Sequence, residues 1–271
     1  MKRADSCSFT PTRVEQLVSG MTHDTDLGGA IASFPPTRHS AVREATSADA
    51  EVRKQAFQDL VTAYWKPVYK YVRVQWNASN EDAKDLTQAF FLRAMEKGIC
   101  DGFDPSRARF RTYLRVSIDG FVANERKAAG RIKRGGGVAI LSLDFDGAEG
   151  ELGHTRIPAD GNPDDLFYRE WVRSLFALAV DELRRDCQTS GKETHFLVFE
   201  RYDLEGPDRS SKPTYGELAL EFSLSPTQVT NYLAAMRREF RRLVLERIRA
   251  TTGSDDEFRE ESRRLLGGRI E

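Results

Sequence analysis

Two capping boxes, which begin eleven residues apart, constrain the fold of this chain more than any other feature. Thr214-Tyr215-Gly216-Glu217 and Ser225-Pro226-Thr227-Gln228 both follow the S/T-x-x-E/Q pattern. In this pattern a hydroxyl and a carboxylate or amide satisfy backbone N–H groups at the start of a helix. The boxes predict a short helix from Tyr215 to Phe222, a tight turn at Ser223-Leu224, and a longer helix from Pro226. This spacing is typical of a helix-turn-helix, whose second helix reads DNA.

The apolar and polar positions of these two helices separate into an inner and an outer set. The predicted buried set is Leu218, Ala219, Phe222, Leu224, Val229, Tyr232 and Leu233. The predicted exposed face of the second helix has short polar groups first and arginines later, as base edges and flanking phosphates require. Its candidate DNA-binding residues are Ser225, Thr227, Gln228, Thr230, Asn231, Ala234, Arg237, Arg238 and Arg241. The alternative is a plain helical hairpin with a basic surface.

The net charge of the chain is only −1, but the charges are sorted into blocks. Residues 107–134 hold nine basic residues and two acidic ones, whereas residues 141–170 hold two basic and eight acidic ones. Residues 237–249 hold six arginines and two glutamates. Counterions are released locally wherever phosphates meet a basic face, so the blocks matter more than the total. The basic blocks indicate nucleic-acid contact, and the alternative is that each block is only a solvated helix face.

Composition argues against several other classes of protein. No apolar run approaches the roughly 18 residues that cross a bilayer, and the N-terminus lacks the pattern of a secretory signal. Three cysteines and four histidines are scattered without CxxC spacing, so we expect reduced thiols and no metal site. No Gly-rich phosphate loop or nucleophile–base motif is present. We therefore expect a cytoplasmic protein with no cofactor, no membrane contact and no enzymatic activity.

Hydrophobic periodicity predicts an all-α protein made of two small helical domains joined by a long acidic linker. Apolar residues recur at helical spacing on both sides of a Gly-rich acidic stretch, and strand-like alternation is nearly absent. The predicted parts are a flexible leader (1–40), a first domain (41–134), the acidic linker (135–163), a second domain that contains the helix-turn-helix (164–250), and a tail (251–271). The amphipathic stretch Asp255–Leu266 predicts a short helix in the tail.

Local signals place the helices of the first domain. An apolar stripe predicts the first helix, and Pro67 within it predicts a kink or a fresh start. A second helix is predicted to start after Ser79 and to end at Gly98. Asp104-Pro105 predicts the start of a third helix, because it places a cap before a proline at the first helical position. That third helix is predicted to end in the Gly135–Gly137 stretch.

These features together resemble a known family, the bacterial sigma factors of the extracytoplasmic-function (ECF) type within the sigma-70 family. The resemblance covers roughly residues 34–134 and 165–250 and depends on the order and distances of several short blocks. The blocks that carry it are Ala63–Tyr69, Glu81–Phe91, Phe110–Leu114 and Tyr215–Ala219. Members of this type keep only two domains, called regions 2 and 4, which implies that residues 41–134 and 164–250 are those regions.

The resemblance implies a role for each candidate surface. One helix resembles region 2.2, which docks on the clamp helices of the largest polymerase subunit, through Asp82, Asp85, Gln88, Phe91 and Leu92. The stretch Phe110–Arg134 resembles regions 2.3 and 2.4, which open and read the −10 element. Its candidate residues, with two arginines that precede it, are Arg107, Arg109, Arg111, Tyr113, Arg115, Phe121, Asn124, Arg126 and Lys127. Where many relatives have an N-x-x-x-D pattern, this chain has Gly120 and Asn124. The helix-turn-helix resembles region 4.2, which reads the −35 element.

The function that the resemblance implies is transcription initiation. The chain would bind core RNA polymerase through the clamp helices and the flap of the second-largest subunit, recognise the −35 and −10 elements of promoter DNA, and stabilise the melted −10 strand. We expect free protein to bind DNA poorly until the polymerase fixes the spacing of the two basic modules. An anti-sigma factor or a regulatory kinase is a further candidate partner. The alternative is a stand-alone helix-turn-helix regulator, which would bind duplex DNA tightly by itself and usually as a dimer.

Overall fold

The computed structural model describes residues 40–129, 143–153, 162–205 and 212–267, and all regular structure in these ranges is helical. This confirms the all-α class. The described ranges contain ten α-helices: α1 (Ala41–Glu44), α2 (Ala50–Gln75), α3 (Asn80–Lys97), α4 (Phe110–Ala129), α5 (Phe145–Gly153), α6 (Pro163–Thr189), α7 (Glu193–Phe199), α8 (Tyr215–Glu221), α9 (Pro226–Thr251) and α10 (Asp255–Leu266). Among the described residues, no helix combines the length and hydrophobicity that crossing a bilayer requires. The leader predicted at residues 1–40 lies almost wholly outside the described residues, as does the predicted end of the third helix at Gly135–Gly137.

The chain forms two compact units. The first comprises the described residues of Arg38–Ser174 together with Ile248–Arg259. The second comprises the described residues of Leu175–Arg247 and of Glu260–Glu271. The C-terminal part of the chain thus contributes a short segment to the first unit, which the sequence did not indicate.

Helix α2 forms the centre of the first unit. Its apolar stripe is buried over Leu60, Tyr64, Val68 and Val72, as the periodicity predicted. The expectation of a fresh helix start at Pro67 is wrong, because α2 continues without interruption from Ala50 to Gln75. A proline inside a helix costs about 3 kcal/mol. Burial of the residues on both sides of Pro67 offsets that cost.

Helix α3 begins and ends where the sequence predicted. The Ser79 hydroxyl accepts from the backbone N–H of Asp82 at 3.1 Å, and the helix ends at Gly98, whose φ of 61° is the left-handed conformation that favours glycine. The start of α4 is different: Asp104-Pro105 forms only a turn, and the helix begins at Phe110. The prediction of a helix start at Asp104 is therefore wrong: its carboxylate accepts from the backbone N–H of Ser106 at 2.9 Å and closes a local turn instead.

Part of the predicted acidic linker is a helix that packs on α2. Phe145 of α5 lies between Trp65 and Tyr69, with ring centroids 5.4 and 5.2 Å apart. Glu149 accepts from Arg73 at 3.0 Å and from Tyr69 at 2.6 Å. The sequence of this stretch showed no helical period, so α5 depends on these tertiary contacts rather than on its own propensity.

Glu151 of α5 joins a buried ionic cluster on α2. It accepts from Lys66 at 2.8 Å and from Lys70 at 2.6 Å. Lys70 is 1% exposed and also donates to Glu170, at 2.8 Å. Because a charge this deeply buried is tolerated only when it is paired, these contacts fix α5 and the start of α6 against α2.

The second unit is built around the apolar faces of α6, α7 and α9. The ring of Phe240 contacts Phe176 and Phe199, with centroids 5.7 Å apart in each pair. Helices α8 and α9 are joined by a turn in which Ser223 has a φ of 54°. Both predicted capping boxes are confirmed: Glu217 accepts from the backbone N–H of Thr214 at 2.7 Å, and Gln228 accepts from that of Ser225 at 2.9 Å.

Candidate functional surfaces

Helix α3 presents acidic side chains on the face opposite the core. Its inner face buries Ala83, Thr87 and Phe90 against the first unit, which leaves Asp82 and Asp85 exposed. The hydroxyl of Ser79 donates to Asp82 at 2.7 Å and orients that carboxylate. Gln88 and Leu92 are half-buried beside them. These four predicted polymerase-binding residues share one accessible face.

Phe91 does not belong to that face. Its side chain is 3% exposed, and its ring packs edge-on against Phe90 with centroids 5.4 Å apart. A ring that is buried in the core of its own domain has no surface to offer a partner. The prediction that Phe91 contacts the polymerase is therefore wrong.

Helix α4 has an exposed stripe that faces away from the core. One residue in each turn is exposed along it: Val116 (55% exposed), Gly120, Asn124 and Lys127. Of the other candidates from the basic block, Arg107 and Arg126 are also exposed, and Arg109 is half-buried. Apolar, polar and cationic groups on one open face form a surface of the kind that unpaired nucleic acid requires.

Two other predicted −10 residues are core residues. Arg111 is 7% exposed, and its guanidinium lies over the rings of Tyr168 and Trp171, 4.6 and 5.3 Å from their centroids. Phe121 is 7% exposed and packs edge-on against Phe90. The prediction that Arg111 binds DNA directly is therefore wrong. Phe121 exposes only an edge, which lines the groove described below, and its contact with DNA stays a prediction.

Tyr113 and Arg115 are half-buried and engaged within the protein. The Tyr113 hydroxyl donates to the carbonyl of Ile99 at 2.8 Å. Arg115 donates to Asp119 at 2.7 Å and also to Asp164. These contacts fasten α4 to its neighbours, so both residues support the exposed stripe rather than extend it.

Asp119, one of the two acidic residues within the basic block of residues 107–134, organises this part of the surface. Its carboxylate accepts from the Tyr71 hydroxyl at 3.0 Å, from Trp76 Nε1 at 2.9 Å and from Arg115. Burial raises the pKa of Tyr71 to about 12, so this hydroxyl remains a donor at neutral pH. The half-buried indole of Trp76 is thereby held under the guanidinium of Arg126, 5.1 Å from the ring centroid. Trp76 was not predicted as a site residue.

A groove of about 280 Å³ lies between α3 and α4. Its floor is apolar, and its rim holds a guanidinium, an ammonium, a hydroxyl and an amide. The lining residues are Phe90, Arg93, Ala94, Lys97, Ile99, Ser117, Gly120, Phe121 and Asn124. A Cβ at Gly120 would meet nothing within 4 Å, so the missing side chain leaves open space at the edge of the groove. Arg93 and Lys97 were not predicted as site residues. The only sign of such a role in the sequence is that two cations lie one helical turn apart on α3.

The start of α9 in the second unit exposes most of the predicted −35 residues. Ser225, Thr227, Gln228, Thr230 and Asn231 are all exposed. In the capping box, the Ser225 hydroxyl accepts from the backbone N–H of Gln228, and the Gln228 side chain accepts from the backbone N–H of Ser225. Further along the helix, Arg238 is exposed and Ala234 is half-buried.

Arg237 and Arg241 contact the protein instead of lying on the exposed face. Arg237 is 8% exposed and donates twice to Asp203, at 2.9 and 3.1 Å. The prediction that Arg237 binds DNA is therefore wrong. Arg241 is half-buried and donates to the carbonyl of Leu266 at 3.1 Å, at the C-terminal end of α10. Burial lowers the pKa of Arg241, and its guanidinium is already engaged, so its predicted phosphate contact is also not supported.

Comparison with known proteins identifies the first unit. Residues 60–132 match the family model of sigma-70 region 2, and no curated protein or solved structure matches the chain. The matched residues include most of α2 and the whole of α3 and α4, and therefore the acidic face, the exposed stripe and the groove. Region 2 is the part of a sigma factor that contacts core RNA polymerase and promoter DNA. Residues 60–132 are therefore a sigma-70 region 2, and this match supports a sigma factor of the sigma-70 family.

Proposed function

We propose that this chain is an ECF-type sigma factor that recognises both the −35 and −10 elements and stabilises the melted −10 strand. The observation that carries the proposal is the exposed stripe of α4 beside the groove, both inside the matched region 2. The polymerase performs all the chemistry, and the chain contributes binding energy and position. Its place of action is the cytoplasm, where core polymerase works.

The acidic face of α3 is the proposed contact with the clamp helices of the largest polymerase subunit. Asp82 and Asp85 are exposed, and Gln88 and Leu92 add polar and apolar area beside them. Exposed carboxylates next to a small apolar group give a surface that a basic helical partner can complement in charge and shape. Phe91 supports this face from beneath but takes no part in it.

The groove and the stripe of α4 are the proposed −10 site. An unstacked base needs an apolar floor and a polar edge, and its phosphate needs cations nearby. The floor of Phe90 and Phe121, with Asn124 at the edge, meets the first requirement. Arg93 and Lys97 at the rim meet the second. Because an amide both donates and accepts, Asn124 can read a base edge where relatives use a carboxylate.

The half-buried Trp76 and the exposed Arg126 supply a second stacking position. An aromatic ring with a guanidinium over it is a sequence-tolerant platform for a neighbouring base, and such stacking contributes about 1–3 kcal/mol per base. The Asp119 carboxylate fixes the indole in place. The platform is therefore preorganised, which lowers the entropy lost when DNA binds.

The start of α9 is the proposed −35 reader. Its exposed Thr227, Thr230 and Asn231 lie at the helix N-terminus, where the macrodipole favours a nearby phosphate and short polar groups reach base edges. Arg238 is the proposed phosphate contact on this helix. The second unit is also the proposed partner of the flap of the second-largest subunit, as in the family it resembles.

Transcription in vitro with core polymerase on random-promoter templates tests this function. We expect the chain to direct initiation from a subset of templates that share two separated elements. The Asp85→Arg variant is the matched control, because we expect it to weaken polymerase docking while it leaves both DNA surfaces unchanged. A stand-alone regulator would bind duplex in this assay but would give no initiation above core alone. An anti-sigma factor or a regulatory kinase remains a prediction for the partners of the free protein.

A further inference from the structure

The C-terminal residues Thr251–Phe258, here called the strap, are built into the first unit. Their backbone carbonyls accept hydrogen bonds from three side chains that are far away in sequence. Tyr64 donates to Thr251 at 3.2 Å, Ser40 to Thr252 at 2.5 Å, and Arg43 to Gly253 at 3.0 Å. Thr251 and Thr252 are each 2% exposed. A segment this buried and this well bonded is a part of the domain rather than a loose tail.

Gly253 allows the strap to approach the core. A Cβ at this position would lie 2.3 Å from the ring of Phe103. Phe103 in turn packs edge-on against Phe110, with centroids 5.1 Å apart. Only glycine fits against that ring, so the strap touches the side chains that surround the beginning of α4.

Glu257 supplies the first backbone N–H of α4 with its acceptor. Its carboxylate accepts from the N–H of Phe110 at 3.1 Å and from that of Gly253 at 2.8 Å. The side chain of Glu257 is 7% exposed. The N–H groups of a first helical turn have no partner within the helix. At the cap position α4 has Arg109, whose side chain carries no acceptor, so the acceptor must come from elsewhere in the chain.

We propose that the strap completes region 2 and that Glu257 is a positioning residue for the proposed −10 helix. This inference rests on the proposed function, because the strap can position a −10 helix only if α4 binds the −10 element. Glu257 holds the first turn of α4, and the stripe that carries Val116, Gly120 and Asn124 continues from this turn. It also places a negative charge at the positive end of the α4 macrodipole. A sigma factor without this strap would then bind core polymerase normally but would bind melted DNA weakly.

The test compares Glu257→Ala with Glu257→Gln in the full chain. The first readout is hydrogen exchange at the Phe110 amide by NMR, which reports the Glu257 bond directly because this N–H has no acceptor inside α4. The second is the rate of promoter opening with core polymerase, measured with a fluorescent base in the −10 element. Asp256→Ala, in the same turn of α10 but with a side chain that is 96% exposed, is the control.

We expect Glu257→Ala to speed exchange at Phe110 and to slow opening about tenfold, as the loss of a helix cap implies. Glu257→Gln keeps one oxygen acceptor and should recover part of both effects, while affinity for core polymerase stays unchanged in both variants. If Glu257→Ala does not fold, the comparison of Glu257→Gln with wild type decides.

Unchanged exchange at Phe110 would overturn the contact, and normal opening despite faster exchange would overturn the positioning role. If wild-type protein opened no promoter while Phe110 responded as expected, the contact would stand. The proposed function, and the positioning role with it, would then be rejected.

Discussion

The guanidinium of Arg237 and the carboxylate of Asp203 form a buried ion pair with N–O distances of 2.9 and 3.1 Å. The guanidinium also lies 5.5 Å from the ring centroid of Tyr202. This pair ties α9 to the segment that follows α7, so its contribution is to the folding of the second unit. Arg238, the next residue, is exposed.

Replacement of these two neighbours should therefore have opposite consequences. Arg237→Ala should lower the free energy of unfolding by about 3 kcal/mol, because it leaves Asp203 buried without its main partner. Arg238→Ala should leave stability within about 0.5 kcal/mol of wild type and lower the salt slope of promoter binding by about one ion. Urea unfolding and salt-dependent binding measure the two effects. Equal stability of both variants would contradict the assignment.

Asp85→Arg should weaken the affinity for core polymerase by tenfold or more, since it places a cation where a basic partner would dock. The measurement is a fluorescence titration of labelled protein with core. Asp59→Arg makes the same charge change on the exposed surface of α2 and serves as the control. Equal affinities for the two variants would show that α3 is not the docking face.

Gly120 offers a test of the groove. Gly120→Ala should stabilise the protein by roughly 0.5–1 kcal/mol, because alanine is the better helix former and its Cβ meets open space. Gly120→Phe should fold as well, but its ring would cover the groove and slow promoter opening. Unfolding and opening rates of both variants are the measurements. A Gly120→Phe protein that opens promoters at the wild-type rate would exclude the groove as a base site.

The docking of α5 should depend on pH through Glu149. Hydrogen bonds from Arg73, and then from Tyr69, lower the pKa of Glu149 from 4.5 to about 2. A carboxylate with a depressed pKa in the folded state contributes stability that is present above pH 4.5 and lost as the pH falls towards 2. Glu149→Gln should therefore be less stable than wild type at pH 6, and the difference should shrink between pH 4.5 and 2. Glu96→Gln, at an exposed site, should show no such convergence in urea unfolding.

Capping residues and glycine stops in the sequence correctly predicted those helix ends that depend only on residues nearby in the chain. The capping boxes at Thr214 and Ser225, the cap at Ser79 and the stop at Gly98 all act within a few residues, and all are confirmed. The helix Asp255–Leu266 was also predicted with its observed bounds. The exposed acids of α3 followed from the same periodicity, because the buried face of a helix determines its outer face.

Features set by distant partners were not visible in the sequence. The first backbone N–H of α4, that of Phe110, donates to Glu257, which lies 147 residues away in sequence. The burial of Arg237 depends on Asp203, and α5 forms because α2 provides cations for its glutamates. In each case a charged residue looked like part of a solvated face, and only the fold revealed its partner. The domain boundaries and the DNA-contacting residues remain predictions.

The central claim is that core polymerase, and not duplex DNA, is the primary partner of this chain. Equilibrium binding of the labelled full chain, measured side by side with core polymerase and with promoter duplex at physiological salt, tests it most directly. The account predicts nanomolar affinity for core, and for duplex alone no more than the roughly 10⁻⁴–10⁻⁶ M typical of non-specific contact. Tight binding to duplex together with no detectable binding to core would contradict it.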